Sequence, residues 1–235
     1  MTTSTAAAPQ APASPQRRLQ TEIPGPVSRA LQERRANAVA AGVASTLPAY
    51  ITSASGGLLT DADGNVLIDF GSGIAVTSVG HSAPEVAGLI PVPRPAGRPG
   101  GRAAGDGPDR EADRRRPGRG RRARADPGRG RFHRARTRLS AGDFLVVQGE
   151  TGVIGDVRGR GAMLAAEFVK PGTNEPDADL TKRIAAACHA QGVVVLTCGT
   201  YGNVVRLLPP LSLSNELLDE GLAVLEYAIR TEARK

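Results

Sequence analysis

One arginine of this sequence is the single charged residue of an apolar segment. Arg206 is part of the apolar segment 203–211, NVVRLLPPL, which is predicted to be a strand that stops at two prolines. A guanidinium binds a carboxylate through two parallel hydrogen bonds, which fix the orientation of the ligand as well as its charge. Taken alone, an arginine beside a strand is more often a solvated or ion-paired charge, and the pattern by itself favours that interpretation.

Three side chains that can bind a metal lie close together in the sequence. Cys188, His189 and Cys198 fall within eleven residues. Cys188 and His189 are neighbours on a predicted helix and point to different faces of it, and a fourth ligand with suitable spacing is missing from the sequence. The pattern therefore favours buried thiols and a surface histidine over a metal site.

Lysine, which becomes a nucleophile when its amine is desolvated, occurs only three times. Lys170 follows a predicted strand, Lys182 opens a predicted helix and Lys235 ends the sequence, so each is expected to be a surface charge. The glycine-rich segment 197–203 could be mistaken for a phosphate loop, but its glycines more simply make a turn between two strands. These patterns assign no catalytic residue.

The positive charge of the chain is concentrated in one segment. Residues 94–138 contain 16 arginines, no lysine and five acidic residues, a net charge of +11 in a chain whose total is +7. Non-specific binding to nucleic-acid phosphates is therefore one hypothesis for the function. Arginine-rich segments that bind RNA usually include aromatic residues for base stacking, and only Phe132 and His133 offer a ring here, so this hypothesis ranks second.

Composition and apolar periodicity divide the sequence into four predicted regions. Residues 1–20 form a polar, proline-containing tail, and residues 89–143 lack any helical or strand periodicity, so both are predicted to be disordered because they cannot bury enough apolar area to offset the entropy of folding. Residues 21–88 and 144–235 have the composition and apolar periodicity of folded regions. Two cysteines, no signal peptide and no apolar run near ~20 residues lead us to expect a soluble cytoplasmic chain.

The two globular regions predict an α/β fold. Asp61–Asn65 is rich in residues that tolerate a left-handed backbone and predicts the turn of a hairpin. Ser28, Asp179 and Ser214 are each predicted to cap a helix. The predicted helices cover 28–41, 180–190 and the segment after Ser214. The predicted strands cover 49–52, 66–70, 154–160, 162–169, 193–196 and 204–208.

Two ordered series of motifs resemble the ends of the 4-aminobutyrate aminotransferases, which belong to the class-III aminotransferases. The N-terminal series is TEIPGP at 21–26, DGN at 63–65 and IDFGSGIAV at 68–76. The C-terminal series is IGDVRGRGAM at 154–163, LTCG at 196–199 and NVVRLLPPL at 203–211. The resemblance covers roughly residues 18–87 and 144–230.

This resemblance implies a fold type I enzyme that depends on pyridoxal phosphate and transfers an amino group from 4-aminobutyrate to 2-oxoglutarate. In such enzymes both ends of the sequence build the small domain, so we expect a small-domain remnant whose ligands are amino and oxo acids. Arg206 matches the family arginine that binds the α-carboxylate, and Ile74 matches the apolar residue that lines the substrate pocket. His81 matches a position that varies in the family, so we assign it no role.

The large central domain of the family has no counterpart in the sequence. It would supply the Schiff-base lysine, an aspartate for the pyridine nitrogen and a phosphate cup, so we expect no cofactor-binding residue and no turnover. The resemblance implies a homodimer, which in the family commonly forms through this same domain. The lysine-free composition of 89–143 is typical of GC-rich coding sequence read out of frame. Our hypothesis is a frameshift or deletion joint, which resequencing of the locus tests; an intact frame, confirmed by mass spectrometry of the native protein, would contradict it.

Overall fold

The computed structural model of the protein describes residues 16–40, 47, 49–87 and 141–235, so most of the tail 1–20 and of the insert 89–143 lies outside the described residues. Within the described ranges the chain has the predicted α/β fold, with two four-stranded sheets. The N-terminal elements are α1 (Pro26–Ala38), β1 (Ile51–Ser55), β2 (Leu58–Asp61), β3 (Val66–Asp69), α2 (Ser72–Ala75) and α3 (Pro84–Ala87). The C-terminal elements are α4 (Ala141–Thr151), β4 (Ile154–Arg160), β5 (Met163–Phe168), α5 (Ala178–Ala190), β6 (Val193–Val194), β7 (Leu196–Cys198), β8 (Val204–Leu207) and α6 (Asn215–Glu232).

The first sheet joins the two ends of the chain. Its strand order is β1-β2-β3-β6, and all pairs are antiparallel except β3 with β6, which run parallel. The predicted hairpin is therefore wrong in one respect, because it is a three-stranded meander in which β2 was missed. The chain reverses at Gly56 and Gly57, immediately after β1, and Gly56 has a left-handed φ of 56° that glycine adopts readily.

The predicted turn at Asp61–Asn65 connects β2 to β3. The buried Asp61 carboxylate accepts hydrogen bonds from the backbone N–H groups of Asp63 and Asn65, at 2.9 and 2.8 Å. Asn65 in turn accepts from the backbone N–H groups of Gln20 and Thr21. The turn thus ties the N-terminal segment to the sheet.

Residues 16–20, which we predicted to be part of a disordered tail, have an ordered path. Arg18 exchanges both backbone hydrogen bonds with Val66 of β3. Arg17 forms an ion pair with Glu220 of α6 at 2.8 Å. These contacts are with residues 48 or more positions away, so composition alone could not reveal them.

Helix α1 begins and ends earlier than predicted. It starts at Pro26, because proline is well tolerated at the first helical position, where its missing N–H has no partner to lose. Ser28 is not the N-cap and lies buried inside the helix. The Asp63 carboxylate instead accepts hydrogen bonds from the N–H groups of Val27 and Ser28, at 2.6 and 2.9 Å, which satisfies this helix end from a distant turn.

The second sheet is antiparallel throughout and has the order β4-β5-β8-β7. Its strands match the predictions except at residues 193–196. That run was predicted as one strand, whereas the chain leaves the first sheet after β6 and enters the second sheet at β7. Val195, between them, is fully buried, so the change of sheet occurs inside the core.

Helices α4 and α5 pack on the second sheet, and α6 packs on both of these helices and on β6. Helix α6 is capped by Ser214 as predicted, but the N-cap of α5 is Asp177 rather than Asp179, since the Asp177 side chain accepts from the Leu180 N–H at 2.8 Å. Helix α4 was not predicted, and it begins at residue 141, inside the range assigned to the insert. None of the helices in the described ranges is long and apolar enough to cross a membrane.

Phe70 joins the N-terminal segment to the C-terminal core. Its ring is fully buried, and a methyl group at Gly221 of α6 would come within 2.4 Å of it, so only glycine allows this approach. The Phe70 N–H donates to the Val194 carbonyl at 2.9 Å, and its own carbonyl accepts from Leu208 at 2.7 Å. The two ends of the sequence therefore share one core.

Candidate functional site

Arg206 lies on β8, an inner strand of the second sheet. Its backbone is paired with Ala165 of β5 on one side and with Leu196 of β7 on the other. The helices pack on the opposite face, where Val205 and Leu207 are buried, so Arg206 belongs to the outer face. Arg206 is half-buried, and within the described ranges no residue forms a hydrogen bond or ion pair with its guanidinium. The group is therefore available to an anion.

Ile74 lies in a left-handed turn. The four residues of α2, from Ser72 to Ala75, have φ values of 45, 58, 63 and 64°. Left-handed backbone costs about 1–2 kcal/mol for each residue other than glycine, and three of these four are not glycine. Ile74 is 68 % exposed, so its side chain is not part of the core. Contacts outside the turn must hold this conformation.

Asp69 provides those contacts. Its side chain is buried, and its Oδ1 accepts hydrogen bonds from the backbone N–H groups of Gly71 and Ser72, at 2.8 and 3.0 Å. Its Oδ2 lies 2.7 Å from His81 Nε2. The His81 backbone exchanges two hydrogen bonds with Gly56, at 2.9 and 2.8 Å. Asp69 was not predicted as a site residue, and His81 was given no role; an aspartate two residues before a Gly-Ser-Gly run was the available signal, because such side chains often bond to the amides two residues on.

Two backbone hydrogen bonds bring the segments of Arg206 and Ile74 together. The Leu208 N–H donates to the Phe70 carbonyl at 2.7 Å, and the Leu211 N–H donates to the Ser78 carbonyl at 2.8 Å. The chain that follows Arg206 therefore runs along the chain that contains the left-handed turn. The Ser72 hydroxyl, buried at the start of the turn, has no hydrogen-bond partner in the described part of the chain.

A groove in the described part of the chain lies away from these residues. This groove of about 930 Å³ separates β1 and β2 from the start of α6. Ser53 and Thr60 contribute to one wall, and Ser214 and Leu217 to the other. Neither Arg206 nor any residue of the left-handed turn lines it. The groove is therefore separate from the predicted site residues Arg206 and Ile74.

The three lysines are surface charges, as predicted. Lys170, Lys182 and Lys235 have side chains that are 53, 71 and 60 % exposed, and they form ion pairs with Glu175, Asp179 and Glu232, respectively. The hydrogen bond and charge of Glu175 raise the pKa of Lys170. A lysine that forms a Schiff base needs the opposite change, a lowered pKa in a desolvated setting.

The N-termini of the long helices α1, α5 and α6 are already occupied by acidic groups. The Asp63 carboxylate caps α1, and Asp177 caps α5. Helix α6 has the Ser214 cap with Glu216 in its first turn. A phosphate group binds helix N-termini through free N–H groups and a positive end, which these carboxylates consume. Together with the lysines, these ends do not fit pyridoxal phosphate.

The residues considered as metal ligands are separated by their environments. Cys188 is fully buried, whereas Cys198 is half-buried on β7. His189 is not the surface histidine that we predicted, because its Nε2 lies 3.0 Å from the Val195 carbonyl and burial lowers its pKa. Within the described ranges no three residues among His, Cys, Asp and Glu are grouped so that they could hold a metal ion.

Burial predicts a difference in reactivity between the two thiols. It raises the pKa of Cys188 to about 12, so the reactive thiolate is absent at neutral pH. We expect a disulfide reagent to modify Cys198 in the folded chain at about pH 8 and to modify Cys188 only after denaturation. Cys198→Ala, which leaves Cys188 as the single thiol, is the control. Rapid modification of that variant under native conditions would contradict the buried position of Cys188.

A family profile and individual sequence relatives both indicate the same protein family. The profile of the family described as aminotransferase class-III matches residues 38–94 and 136–229. The 4-aminobutyrate aminotransferase of Mycobacterium leprae is 58 % identical over 88 residues, which are 37 % of this chain and 20 % of that protein. The 5-aminovalerate aminotransferase DavT of Pseudomonas putida is 45 % identical over 89 residues, 38 % of this chain and 21 % of that protein. The chain thus spans about a fifth of the length of the curated relatives it matches.

A likeness to solved structures is also found over part of the chain. The PMP-bound aminotransferase from Vibrio fluvialis has 31 % sequence identity and a TM-score of 0.35. The match covers 42 % of this chain and 22 % of that one.

Proposed function

This chain belongs to the class-III aminotransferase family, and from that premise we propose that it retains the carboxylate-binding arginine of a 4-aminobutyrate aminotransferase without the means to bind the cofactor. The parent reaction is transfer of an amino group from 4-aminobutyrate to 2-oxoglutarate through pyridoxal phosphate. In this chain Arg206 binds a carboxylate group, and Ile74 lies beside the ligand. No turnover is expected.

The binding half of the proposal rests on Arg206. Its guanidinium is on the outer face of the sheet, is half-buried, and has no anionic partner in the described ranges. Partial burial weakens the competition from water, so a carboxylate gains more there than at a fully exposed arginine. The exposed side chain of Ile74, held by the left-handed turn, supplies an apolar neighbour on the adjoining segment.

The expected absence of turnover follows from the environment of the lysines. This environment is the observation that most strongly supports the proposal. All three lysines of the sequence are surface groups paired with carboxylates. Schiff-base formation requires a neutral, desolvated amine, and none of these exposed, carboxylate-paired lysines is desolvated. The occupied N-termini of α1, α5 and α6 remove the phosphate sites that these helices would otherwise offer.

Binding of 2-oxoglutarate to the full chain, followed by NMR, tests the carboxylate site. We expect saturable shifts of the Arg206 side-chain signal, and Arg206→Gln is expected to weaken binding roughly ten- to a hundredfold, since one charge-assisted hydrogen bond contributes roughly 1.5–3 kcal/mol. Arg206→Lys keeps the charge but loses the paired geometry, so its affinity should lie in between.

Arg160→Gln is the matched control for this test, because it removes the same charge from the outer face of the same sheet, at a residue that Arg206 does not neighbour. Its affinity should equal that of the wild-type chain. Equal weakening in Arg206→Gln and Arg160→Gln would show that the anion recognises net charge only, and unchanged binding in Arg206→Gln would show that it binds elsewhere; either result would end the proposal.

Non-specific nucleic-acid binding through residues 94–138 is the alternative function. The net charge of +11 in this segment supports it on electrostatic grounds. The segment lies outside the described residues. Deletion of 94–138 is expected to abolish any electrophoretic shift of DNA or RNA, and a shift that persists in the deleted chain would argue against this alternative.

A further inference from the structure

The outer face of the second sheet places one carboxylate near two arginines. Ala165 of β5 is paired with Arg158 of β4 on one side and with Arg206 of β8 on the other. Glu167 is two residues further along β5, so its side chain points to the same face as Ala165. It lies diagonally across from both arginines, a separation that long side chains can bridge.

In the structure Glu167 is paired with Arg158. The Arg158 Nη1 lies 2.6 Å from Glu167 Oε2 and 2.6 Å from Asp156 Oδ2. Asp156 is directly opposite Glu167 in the strand register. Two carboxylates in directly opposed positions repel each other, so Arg158 stabilises the sheet by bridging them.

The same arrangement leaves Arg206 without a carboxylate. The Glu167 Oε1 is 3.4 Å from the Asn203 amide, a long contact, and no ion pair joins Glu167 to Arg206. If Arg158 were removed, repulsion from Asp156 would favour rotation of Glu167 away from β4. The nearest positive group on the other side is Arg206. Glu167 would then occupy the position that a ligand carboxylate needs.

We propose that Arg158 is a positioning residue for the carboxylate site, because it holds Glu167 on β4 and so keeps Arg206 open to a ligand. This role rests on the proposed function of Arg206, although the pairing of Glu167 can be measured without any ligand. Arg158 and Glu167 are 51 and 30 % exposed, so solvent screens the pair. Loss of Arg158 is therefore expected to weaken carboxylate binding roughly two- to fivefold, as screened ion pairs allow.

Four variants of the full chain separate this role from a general charge effect. Arg158→Gln releases Glu167. Arg160→Gln removes an equal charge two residues along the same strand and the same face, where no described residue pairs with it. Arg158→Gln combined with Glu167→Gln removes the released carboxylate as well, and Glu167→Gln alone completes the cycle.

The primary measurement is the Nε–Hε NMR signal of Arg206 in the ligand-free chain, identified by its loss in Arg206→Lys. We expect the signal to move in Arg158→Gln and to keep its wild-type position in Arg160→Gln and in the double variant. A merely structural role of Arg158 predicts the same change in the double variant as in the single one, and that result would overturn the proposal.

Titration with 2-oxoglutarate is the second measurement. Arg158→Gln should bind two- to fivefold more weakly, and the double variant should recover wild-type affinity. Unchanged affinity in Arg158→Gln, in a wild-type chain that binds through Arg206, would overturn the positioning role while leaving the proposed function intact. A moved Arg206 signal in a chain that binds no 2-oxoglutarate would support the pairing of Glu167 and end the proposed function.

Discussion

Replacing Phe70 with alanine is expected to lower the free energy of unfolding by roughly 3–5 kcal/mol, the usual cost of removing a fully buried aromatic ring. The ring lies against Gly221 of α6, and the backbone of the same residue bonds to Val194 and Leu208. Because residue 221 of α6 is glycine, no side chain at that position can fill the cavity that the substitution would leave. Because Phe70 links the two ends of the sequence, the two ends should unfold independently of each other in this variant.

Urea unfolding followed by circular dichroism measures the free energy, and NMR signals from each segment show whether the two ends unfold together. Tyr227→Ala is the matched control, because Tyr227 is an aromatic residue of α6 that is 61 % exposed. It should change stability by less than about 0.5 kcal/mol, as surface substitutions usually do. Equal, small effects of both substitutions would mean that residues 66–70 do not pack on the C-terminal core.

Replacing Asp69 with alanine is expected to cost roughly 2–3 kcal/mol of stability, because hydrogen bonds to a charged group are lost and two amides remain unpaired. The carboxylate accepts from Gly71 and Ser72 and contacts His81. The left-handed turn should then relax, since the Asp69 hydrogen bonds that help to offset the strain of its residues are lost. The amide signal of Ile74 should broaden or shift more than signals of the distant α5 helix.

Two further aspartate variants make the Asp69 result specific. Asp69→Asn retains an oxygen acceptor for the turn amides but loses the charge beside His81, so an intermediate loss is expected. Asp179→Ala removes an aspartate whose side chain is 85 % exposed and should have little effect. A stable Asp69→Ala chain with an unshifted Ile74 signal would show that other contacts hold the turn.

Elements with a complete local signal were predictable from the sequence. The Asp61–Asn65 turn contains its own acceptors and a glycine, and Ser214 stands directly before the periodic apolar positions of α6. The errors occur where distant residues decide. Asp63 caps α1 across 35 positions, and β6 and β7 form one apolar run that two different sheets divide. Local propensity has no access to such contacts.

The candidate site was accessible to sequence reasoning only in part. Arg206 and Ile74 were selected through the family resemblance, because a single arginine or isoleucine has no distinctive local signature. The left-handed conformation of Ser72, Ile74 and Ala75 runs against the preferences of these residues, so propensity predicts the opposite. The diagonal arrangement of Glu167 depends on the register of three strands, which only the structure supplies.

Labelling with pyridoxal phosphate tests most directly the proposal that this chain, which retains Arg206 but whose three lysines are all paired surface groups, lacks the means to bind the cofactor. The full chain is incubated with pyridoxal phosphate, reduced with borohydride, and weighed as an intact protein before peptide mapping. We predict no stoichiometric adduct, with only sparse labelling spread over Lys170, Lys182 and Lys235, because all three are exposed, carboxylate-paired groups and none is a desolvated amine. One pyridoxyl group per chain, confined to a single lysine, would contradict this account.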